Sequence, residues 1–289
     1  MDNAPEILLT ETARDAMQGF ARMIPAMIKV RYINMLLRVG FHTVDCGSFV
    51  SAKAVPQMAD TAEVLDLLDS TGISSKIMVV VGNVKGGLAA IAQDKVDILA
   101  FPYSISPTFL KINLNITPDL AWQTLLEING MAESSKKGFR TYLAMAFGNP
   151  YRDDYSEKAV FQEVERMLKV GVSDIVFSDV TGEGSLATVG SLCKGLHSHF
   201  PTLKAGLHLH AKPELAQRNV MAAFDAGISR FEGAVGGIGG CPMSGYELLA
   251  NTDSVQLIGW LEERGCRLGL DGSALREAGE MALELFAKG

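Results

Sequence analysis

Apolar residues along this chain fall into two alternating patterns. Short runs rich in valine, isoleucine and leucine predict eight strands, at residues 7–12, 42–46, 76–81, 96–101, 140–147, 174–178, 205–210 and 230–234. Apolar residues at helical spacing predict helices after them, at residues 20–39, 56–69, 84–94, 118–136, 156–169, 185–199, 213–226, 246–264 and 272–287. The chain is therefore predicted to repeat a strand–helix unit from end to end.

Eight strand–helix units are the number found in a (β/α)8 barrel, the TIM barrel. A doubly wound open sheet gives a similar alternation, but the count of eight and the length of 289 residues favour the barrel. No linker rich in proline, serine or glycine interrupts the chain. We therefore expect residues 1–289 to form a single α/β domain with two closing C-terminal helices.

Composition narrows the possible functions without identifying one. Hydrophobic residues make up 48% of the chain, which is enough for a sizeable core. The formal net charge of -7 argues against nucleic-acid and anionic-membrane partners, and no apolar run is long enough to span a bilayer. The first residues do not resemble a secretory signal, and four widely spaced cysteines suit a reducing compartment. We expect a cytoplasmic protein with a small-molecule ligand.

Polar residues recur at the predicted carboxyl ends of the strands, where the active sites of barrels lie. They are Arg14 and Asp15 after the first strand, Asp45 on the second, Asp179 after the sixth, and His208 and His210 on the seventh. Because these ends meet at one face of a barrel, the sequence predicts a functional site there.

A metal site is the first candidate at this face. His208 and His210 point to the same side of their strand, because strand side chains alternate. Together with Asp15 they form an oxygen and two nitrogen ligands, a set that suits Mg²⁺, Mn²⁺, Fe²⁺ or Zn²⁺. The alternatives are two polar residues on a half-buried strand and an aspartate that caps a helix.

The remaining polar candidates each have more than one interpretation. Arg14 can stabilise a developing oxyanion or form a surface salt bridge. Asp45 and Asp179 can be bases, partners that orient other side chains, or helix caps. Lys53 is either a surface lysine or a contact for a substrate phosphate.

A glycine-rich segment follows the eighth strand and ends in Cys241. It contains four glycines in five positions, including Gly237, Gly239 and Gly240, which suits a mobile loop or a close approach of backbone to a ligand. It lacks the full nucleotide-binding glycine motifs. Cys241 is therefore a candidate acid or nucleophile in a loop, with a buried inert thiol as the alternative.

Taken together, these residues resemble the 3-hydroxy-3-methylglutaryl-CoA lyases, a family within the metal-dependent lyases and synthases that are built on (β/α)8 barrels. The similarity runs over essentially the whole chain. It is carried by INMLLRVGFHTVDCGSFVSAKAVPQMADTAEVL at 33–65, TARDAMQ at 12–18, HLH at 208–210 and GISRFEGAVGGIGGCP at 227–242. The VPQM and GGxGGCP blocks are the specific ones.

The resemblance implies roles for individual residues. Asp15, His208, His210 and Asn251 would bind the metal, with Mg²⁺ or Mn²⁺ expected, although Asn251 lies one residue further from the cysteine than the family pattern has it. Arg14 would stabilise an enolate, Cys241 would be the mobile acid/base, and Asp45 stands where the family has a glutamate. Gln18, Lys53 and Asp179 would contact substrate. The resemblance also implies a homodimer.

The sequence departs from the family at several positions near these residues. The family's RDG is RDA here, with Ala16, and its following polar and basic residues are replaced at 19–21. Ala211 replaces an aspartate after the histidine pair, and Val180 replaces a threonine after Asp179. The metal site is therefore better supported than the identity of the substrate.

The expected reaction is carbon–carbon cleavage of a 3-hydroxyacyl-CoA, most simply hydroxymethylglutaryl-CoA, to acetyl-CoA and acetoacetate. Two alternatives stay open. One is a Claisen-type synthase of acyl-CoA and a 2-oxo acid, or an aldolase of the same group. The other is a non-catalytic relative that binds a metabolite.

Overall fold

The sheet of this protein closes on itself. The computed structural model describes residues 6–240 and 249–287. The strands of this part of the chain are β1 (Leu8–Glu11), β2 (Thr43–Phe49), β3 (Lys76–Val81), β4 (Ile98–Ser104), β5 (Gly138–Ala144), β6 (Ile175–Asp179), β7 (Gly206–Leu209) and β8 (Arg230–Gly233). Each pairs in parallel with the next, and β8 pairs with β1. The predicted (β/α)8 barrel is therefore confirmed, whereas the single domain over residues 1–289 stays a prediction.

Helices surround the barrel. They are α1 (Ala13–Gln18), α2 (Ala26–Val39), α3 (Thr61–Leu67), α4 (Val84–Ile91), α5 (Pro107–Asn113), α6 (Pro118–Ser134), α7 (Glu157–Lys169), α8 (Leu186–His199), α9 (Pro213–Asp225), α10 (Ser254–Glu263) and α11 (Gly272–Phe286). Serine side chains cap several of them, as Ser156 does for α7 by accepting the N–H of Ala159. None of the described helices is both long and apolar enough to span a membrane.

Three predicted helices differ from the structure. The helix predicted at 20–39 starts only at Ala26, and residues 13–18 form the separate helix α1. The segment predicted at 56–69 divides into a 3-10 turn at Pro56–Met58 and α3. Within the described residues, the helix predicted at 246–264 begins at Ser254. Helix α5 was not predicted at all.

Two of the three apolar clusters among the described residues pack along the barrel wall. The larger one lies between the strands and the outer helices, and includes Leu36, Leu65 and Leu99. A smaller cluster fills the inside of the barrel with side chains from β3 to β6. Because these side chains pack the lower part of the barrel interior, the cavity inside the barrel lies towards the carboxyl ends of the strands.

A bulge in β2 changes which residues face inward. The pairing of β2 with β3 shifts between Asp45 and Gly47, so that the strand gains one residue there. Asp45 contacts Arg14 inside the barrel, and Ser48 also lines the inner cavity, although strict alternation would place them on opposite faces. The bulge thereby brings two polar side chains of one strand to the same site.

Candidate active site

Three potential metal ligands come together at the carboxyl ends of the strands. Asp15 lies on α1, His208 on β7, and His210 directly after β7. One ligand atom from each lies within 4.8 Å of the others, and all three side chains are buried. This is the set that the sequence predicted from separate parts of the chain.

The histidines are oriented so that one nitrogen of each faces the other. His208 places Nδ1 3.0 Å from Oε2 of Glu232, and His210 places Nδ1 3.2 Å from the Leu249 carbonyl. If each Nδ1–H donates to these oxygens, both Nε2 atoms are left with lone pairs, and they lie 2.9 Å apart. A proton or a cation shared by the two Nε2 atoms removes this repulsion, so the pair fits a metal.

Asn251 completes the group. Its Nδ2 donates to Asp15 Oδ2 at 2.7 Å and to the Ile238 carbonyl at 2.8 Å. Its Oδ1 is buried and has no hydrogen-bond partner within 6–240 and 249–287. A buried carbonyl oxygen without a partner is costly, and here it suits a further oxygen ligand beside Asp15.

The shifts in pKa of Asp15 and His210 favour the unprotonated forms that bind a cation. Burial raises the pKa of Asp15, but Arg14 and the two histidines outweigh burial, so that the net pKa is lowered. Burial and His208 lower the pKa of His210 to about 4. Burial also lowers the pKa of His208, but Glu232 outweighs it and raises the net value. At neutral pH a metal would therefore displace at most the proton on His208.

Arg14 is held in place by three side chains. Its Nε and Nη2 lie 2.9 and 2.7 Å from Asp45 Oδ2, while Nη1 lies 3.0 Å from Asp15 Oδ1 and 2.9 Å from Gln18 Oε1. Asp45 is fully buried and does not line the cavity. Burial raises the pKa of Asp45 to about 6, although Arg14 opposes this shift. Asp45 thus positions Arg14, and its predicted role as a base stays a prediction.

A cavity of about 230 Å³ opens beside Arg14 and the metal-ligand group. Much of its wall is apolar, with Val50, Val80, Phe109, Leu114 and Val180 among the lining residues. Its polar lining residues include Arg14, Gln18 and His208. The cavity can therefore enclose a mainly apolar group that carries a few oxygen atoms.

The glycine-rich segment closes against α1. Gly237, Gly239 and Gly240 all have positive φ angles, of 60°, 89° and 134°. A Cβ on Gly239 would lie 2.6 Å from the Ala16 Cα, so only glycine fits. The Gly240 carbonyl accepts a hydrogen bond of 3.4 Å from Gln18 Nε2. Cys241 lies outside the described residues, so its predicted role stays a prediction.

Two predicted substrate contacts are not brought to the cavity. Asp179 uses its carboxylate to accept backbone N–H groups of residues 181–184, including Gly182 at 2.8 Å and Gly184 at 2.7 Å. It therefore shapes the loop after β6. Lys53 is exposed and is not among the residues that line the cavity. Gln18, by contrast, lines the cavity as expected.

The sequence did not indicate two buried glutamates at this end of the barrel. Glu232 lies opposite His208 in the register of β7 and β8 and also contacts Arg140 Nη1 at 3.0 Å. Glu11 accepts hydrogen bonds from the Val235 N–H at 2.9 Å and from the Ser254 hydroxyl at 2.5 Å. Both are charged residues inside short predicted strands, and that position was the available signal.

Known proteins resemble this chain over nearly all of its length. The sequence model described as HMGL-like matches residues 6–282. The mitochondrial hydroxymethylglutaryl-CoA lyase of Bos taurus is 30% identical, with 92% of this chain and 81% of that protein covered. The HMG-CoA lyase structure from Brucella melitensis has a TM-score of 0.90 and 30% identity, and covers 98% of this chain and 99% of that one. An HMG-CoA lyase from Acinetobacter baumannii, described in complex with coenzyme A and 3-methylmalate, has a TM-score of 0.90 and 30% identity, covering 98% and 92%.

Proposed function

This chain belongs to the HMGL-like family, and from that premise we propose that it cleaves 3-hydroxy-3-methylglutaryl-CoA to acetyl-CoA and acetoacetate. The observation that carries the proposal is the buried group of Asp15, His208 and His210 beside Arg14 at the inner end of an apolar cavity. A metal-ligand group that shares a cavity with a fixed cation is what cleavage to an enolate requires.

Asp15, His208, His210 and Asn251 are the residues that would hold the cation, which we propose is Mg²⁺ or Mn²⁺. Such an ion supplies Lewis-acid polarisation of the substrate's carboxyl and hydroxyl oxygens when bound. Oxygen and imidazole ligands without a cysteine among the described ligands are consistent with these metals. The chain's own part is to hold the four ligands in buried, mutually fixed positions.

The bond that breaks joins C2 and C3 of the acyl group. A base takes the proton of the C3 hydroxyl, C3 becomes the ketone carbon of acetoacetate, and the bonding electrons pass to C2 as the enolate of acetyl-CoA. Arg14 lines the cavity and is fixed by Asp45 and Gln18, so its charge is already aligned when the enolate oxygen develops. Protonation of C2 then releases acetyl-CoA, and the family resemblance assigns that proton to Cys241.

We extend the proposal to assembly and location. The homodimer rests on the family resemblance. A cytoplasmic location rests on the cysteines, because Cys46, Cys193 and Cys266 are all free and buried, as a reducing compartment allows. The relatives bear both mitochondrial and cytoplasmic names, the latter including the lyase of Rattus norvegicus, which is 28% identical.

Release of acetyl-CoA from 3-hydroxy-3-methylglutaryl-CoA tests the proposal. We expect release with Mg²⁺ or Mn²⁺, loss of release with excess chelator, and loss in His208→Ala. His199→Ala is the matched control, because His199 is exposed on α8, away from the cavity. Metal binding without any release would reject this substrate and leave a synthase or aldolase reaction, whereas no metal binding would favour a metabolite-binding relative.

A further inference from the structure

Glu11 joins two segments that lie far apart in the sequence. It is the last residue of β1 and is fully buried. Its Oε1 accepts the Val235 N–H at 2.9 Å, and its Oε2 accepts the Ser254 hydroxyl at 2.5 Å. Val235 lies two residues after β8, and Ser254 is the first residue of α10. One buried carboxyl group therefore holds the end of β8 close to the start of α10.

Backbone hydrogen bonds fix the same two segments to each other and to β7. The Ala234 N–H donates to the Thr252 carbonyl at 3.0 Å, and the Ala234 carbonyl accepts the Ser254 N–H at 3.1 Å. The Thr252 N–H donates to the carbonyl of Leu209, the last residue of β7, at 3.3 Å. The chain just before α10 is therefore held against the carboxyl ends of β7 and β8.

Asn251 extends from this strip of chain to the metal-ligand group. It lies three residues before Ser254, and its Nδ2 donates to Asp15 Oδ2 at 2.7 Å. Asp15 in turn lies four residues after Glu11. The strip is thus held at two levels by one short stretch of chain, at its base by Glu11 and at the ligand group by Asp15. A shift of Ser254 away from Glu11 would move Asn251 relative to Asp15.

Packing alone does not require a carboxyl group at the position of Glu11. An apolar side chain would fill the same space in the barrel wall without the cost of burying a polar group. The two hydrogen bonds offset that cost, and their donors are Val235 and Ser254. Glu11 is not among the residues that line the cavity. Any contribution that it makes to the site is therefore transmitted through the chain that it holds.

We propose that Glu11 is a positioning residue that keeps the metal-ligand group assembled by holding Asn251 against Asp15. The inference rests on the proposed function, because it takes Asn251 as a ligand of the cation. Loss of the carboxyl group releases Val235 and Ser254 from their shared acceptor, and Asn251 then leaves its place beside Asp15. The cation binds more weakly as a result, although all four ligand side chains are still present.

Binding of Mn²⁺ without substrate, measured by calorimetry, tests this role. We expect Glu11→Ala to lower the affinity by about tenfold or more, as removal of a group that orients a ligand does. Glu11→Gln keeps an acceptor for the Val235 N–H and a polar partner for Ser254, so its affinity should stay within about threefold of the unmodified protein. Asn219→Ala is the matched control and should bind Mn²⁺ normally, because Asn219 is equally buried, donates to the Gly184 carbonyl at 2.7 Å and does not line the cavity.

A double variant separates positioning from a general loss of stability. In the Asn251→Ala background, Glu11→Ala should lower the Mn²⁺ affinity no further, because the side chain through which Glu11 acts is gone, whereas its cost in urea unfolding should persist. Ser254→Ala removes one of the two contacts and gives the same comparison if Glu11→Ala does not fold. Additive losses of Mn²⁺ affinity in the double variant would overturn the role, as would a normal affinity in Glu11→Ala.

These outcomes also separate the positioning role from the proposed reaction. Mn²⁺ binding that depends on Glu11, without any release of acetyl-CoA from 3-hydroxy-3-methylglutaryl-CoA, would reject the reaction and retain the role. Release of acetyl-CoA by a protein whose Mn²⁺ affinity does not depend on Glu11 would retain the reaction and reject the role. An unmodified protein that binds no Mn²⁺ would overturn both.

Discussion

Glu232 fixes the orientation of the His208 imidazole through a contact with Nδ1. One carboxylate oxygen of Glu232 lies 3.0 Å from His208 Nδ1, and the other accepts a hydrogen bond of 3.0 Å from Arg140 Nη1. Arg140 is 1% exposed, and its Nε donates a hydrogen bond of 3.1 Å to Asp174 Oδ1. The imidazole that faces the cavity is therefore anchored through the barrel interior by a chain of charged side chains.

Replacing Glu232 is expected to weaken metal binding. Glu232→Ala removes the acceptor for His208 Nδ1 and leaves Arg140 with one partner fewer, so both the ring orientation and its basicity change. We expect the affinity for Mn²⁺ to fall by about ten- to a hundredfold, as measured by calorimetry. Glu277→Ala, which breaks an exposed pair with Arg38, is the control. Unchanged Mn²⁺ affinity in Glu232→Ala would contradict the anchoring role.

Replacing Arg14 with lysine is expected to lower the rate of the reaction. Lysine keeps the charge but cannot form the forked contacts with Asp45, Asp15 and Gln18 that align the guanidinium. If Arg14 stabilises the enolate, Arg14→Lys should lower kcat by about 10²-fold or more. Steady-state kinetics with 3-hydroxy-3-methylglutaryl-CoA measures this, and Arg38→Lys at the exposed pair with Glu277 should match the unmodified protein. A kcat of Arg14→Lys within a few-fold of the unmodified value would show that the aligned guanidinium of Arg14 does not stabilise the enolate.

Gly239 is expected to be intolerant of any side chain. Alanine there must adopt a φ of 89° and place its Cβ 2.6 Å from the Ala16 Cα, next to the candidate metal ligand Asp15. Gly269→Ala isolates the backbone cost, because Gly269 has a φ of 67° with nothing within 4 Å of its Cβ position. Urea unfolding should show a loss of about 1 kcal/mol for Gly269→Ala and a clearly larger loss for Gly239→Ala. Equal losses of unfolding free energy in the two variants would mean that α1 moves away from the added Cβ at little cost.

The sequence predicted the barrel and the grouping of Asp15, His208 and His210 because both depend on periodic patterns. Strand residues of period two placed His208 and His210 on one side, and the strand count placed Asp15 at the same face. Helix α5 also carried a readable signal, since Ser106 caps it and Pro107 occupies its first position. These features are local, so they can be derived without knowing which segments meet.

One long-range contact and one local turn explain two places where the structure differs from the sequence prediction. The helix predicted from residue 20 fails to start there because buried Gln57 binds the backbone of that segment, accepting the Ile24 N–H at 2.9 Å and donating to the Phe20 carbonyl at 3.0 Å. Asp179 looked like a site residue because it ends a strand, but its carboxylate is used by the following loop. The Gln57 contacts join residues 33 and 37 positions apart and have no counterpart in local spacing, whereas Asp179 binds only the residues of the turn that follows it.

Glu11 should make the stability of the protein depend on pH. Burial raises its pKa from 4.5 to about 8, although hydrogen bonds from Ser254 and Val235 oppose the shift. Between these two values the folded state keeps a proton that the unfolded chain releases. The contribution of Glu11 is therefore fully present below about pH 4.5 and is lost as the pH rises through 8.

The comparison that isolates this effect is Glu11→Gln, which cannot titrate. Between pH 5.5 and 8.5 the free energy of unfolding of the unmodified protein should fall relative to that of Glu11→Gln, by roughly 3 kcal/mol, since each pKa unit corresponds to about 1.4 kcal/mol. Urea unfolding at several pH values measures both curves, and Glu277→Gln at the exposed pair with Arg38 should follow the unmodified protein. Parallel curves for Glu11→Gln and the unmodified protein would show that Glu11 is already ionised in the folded state.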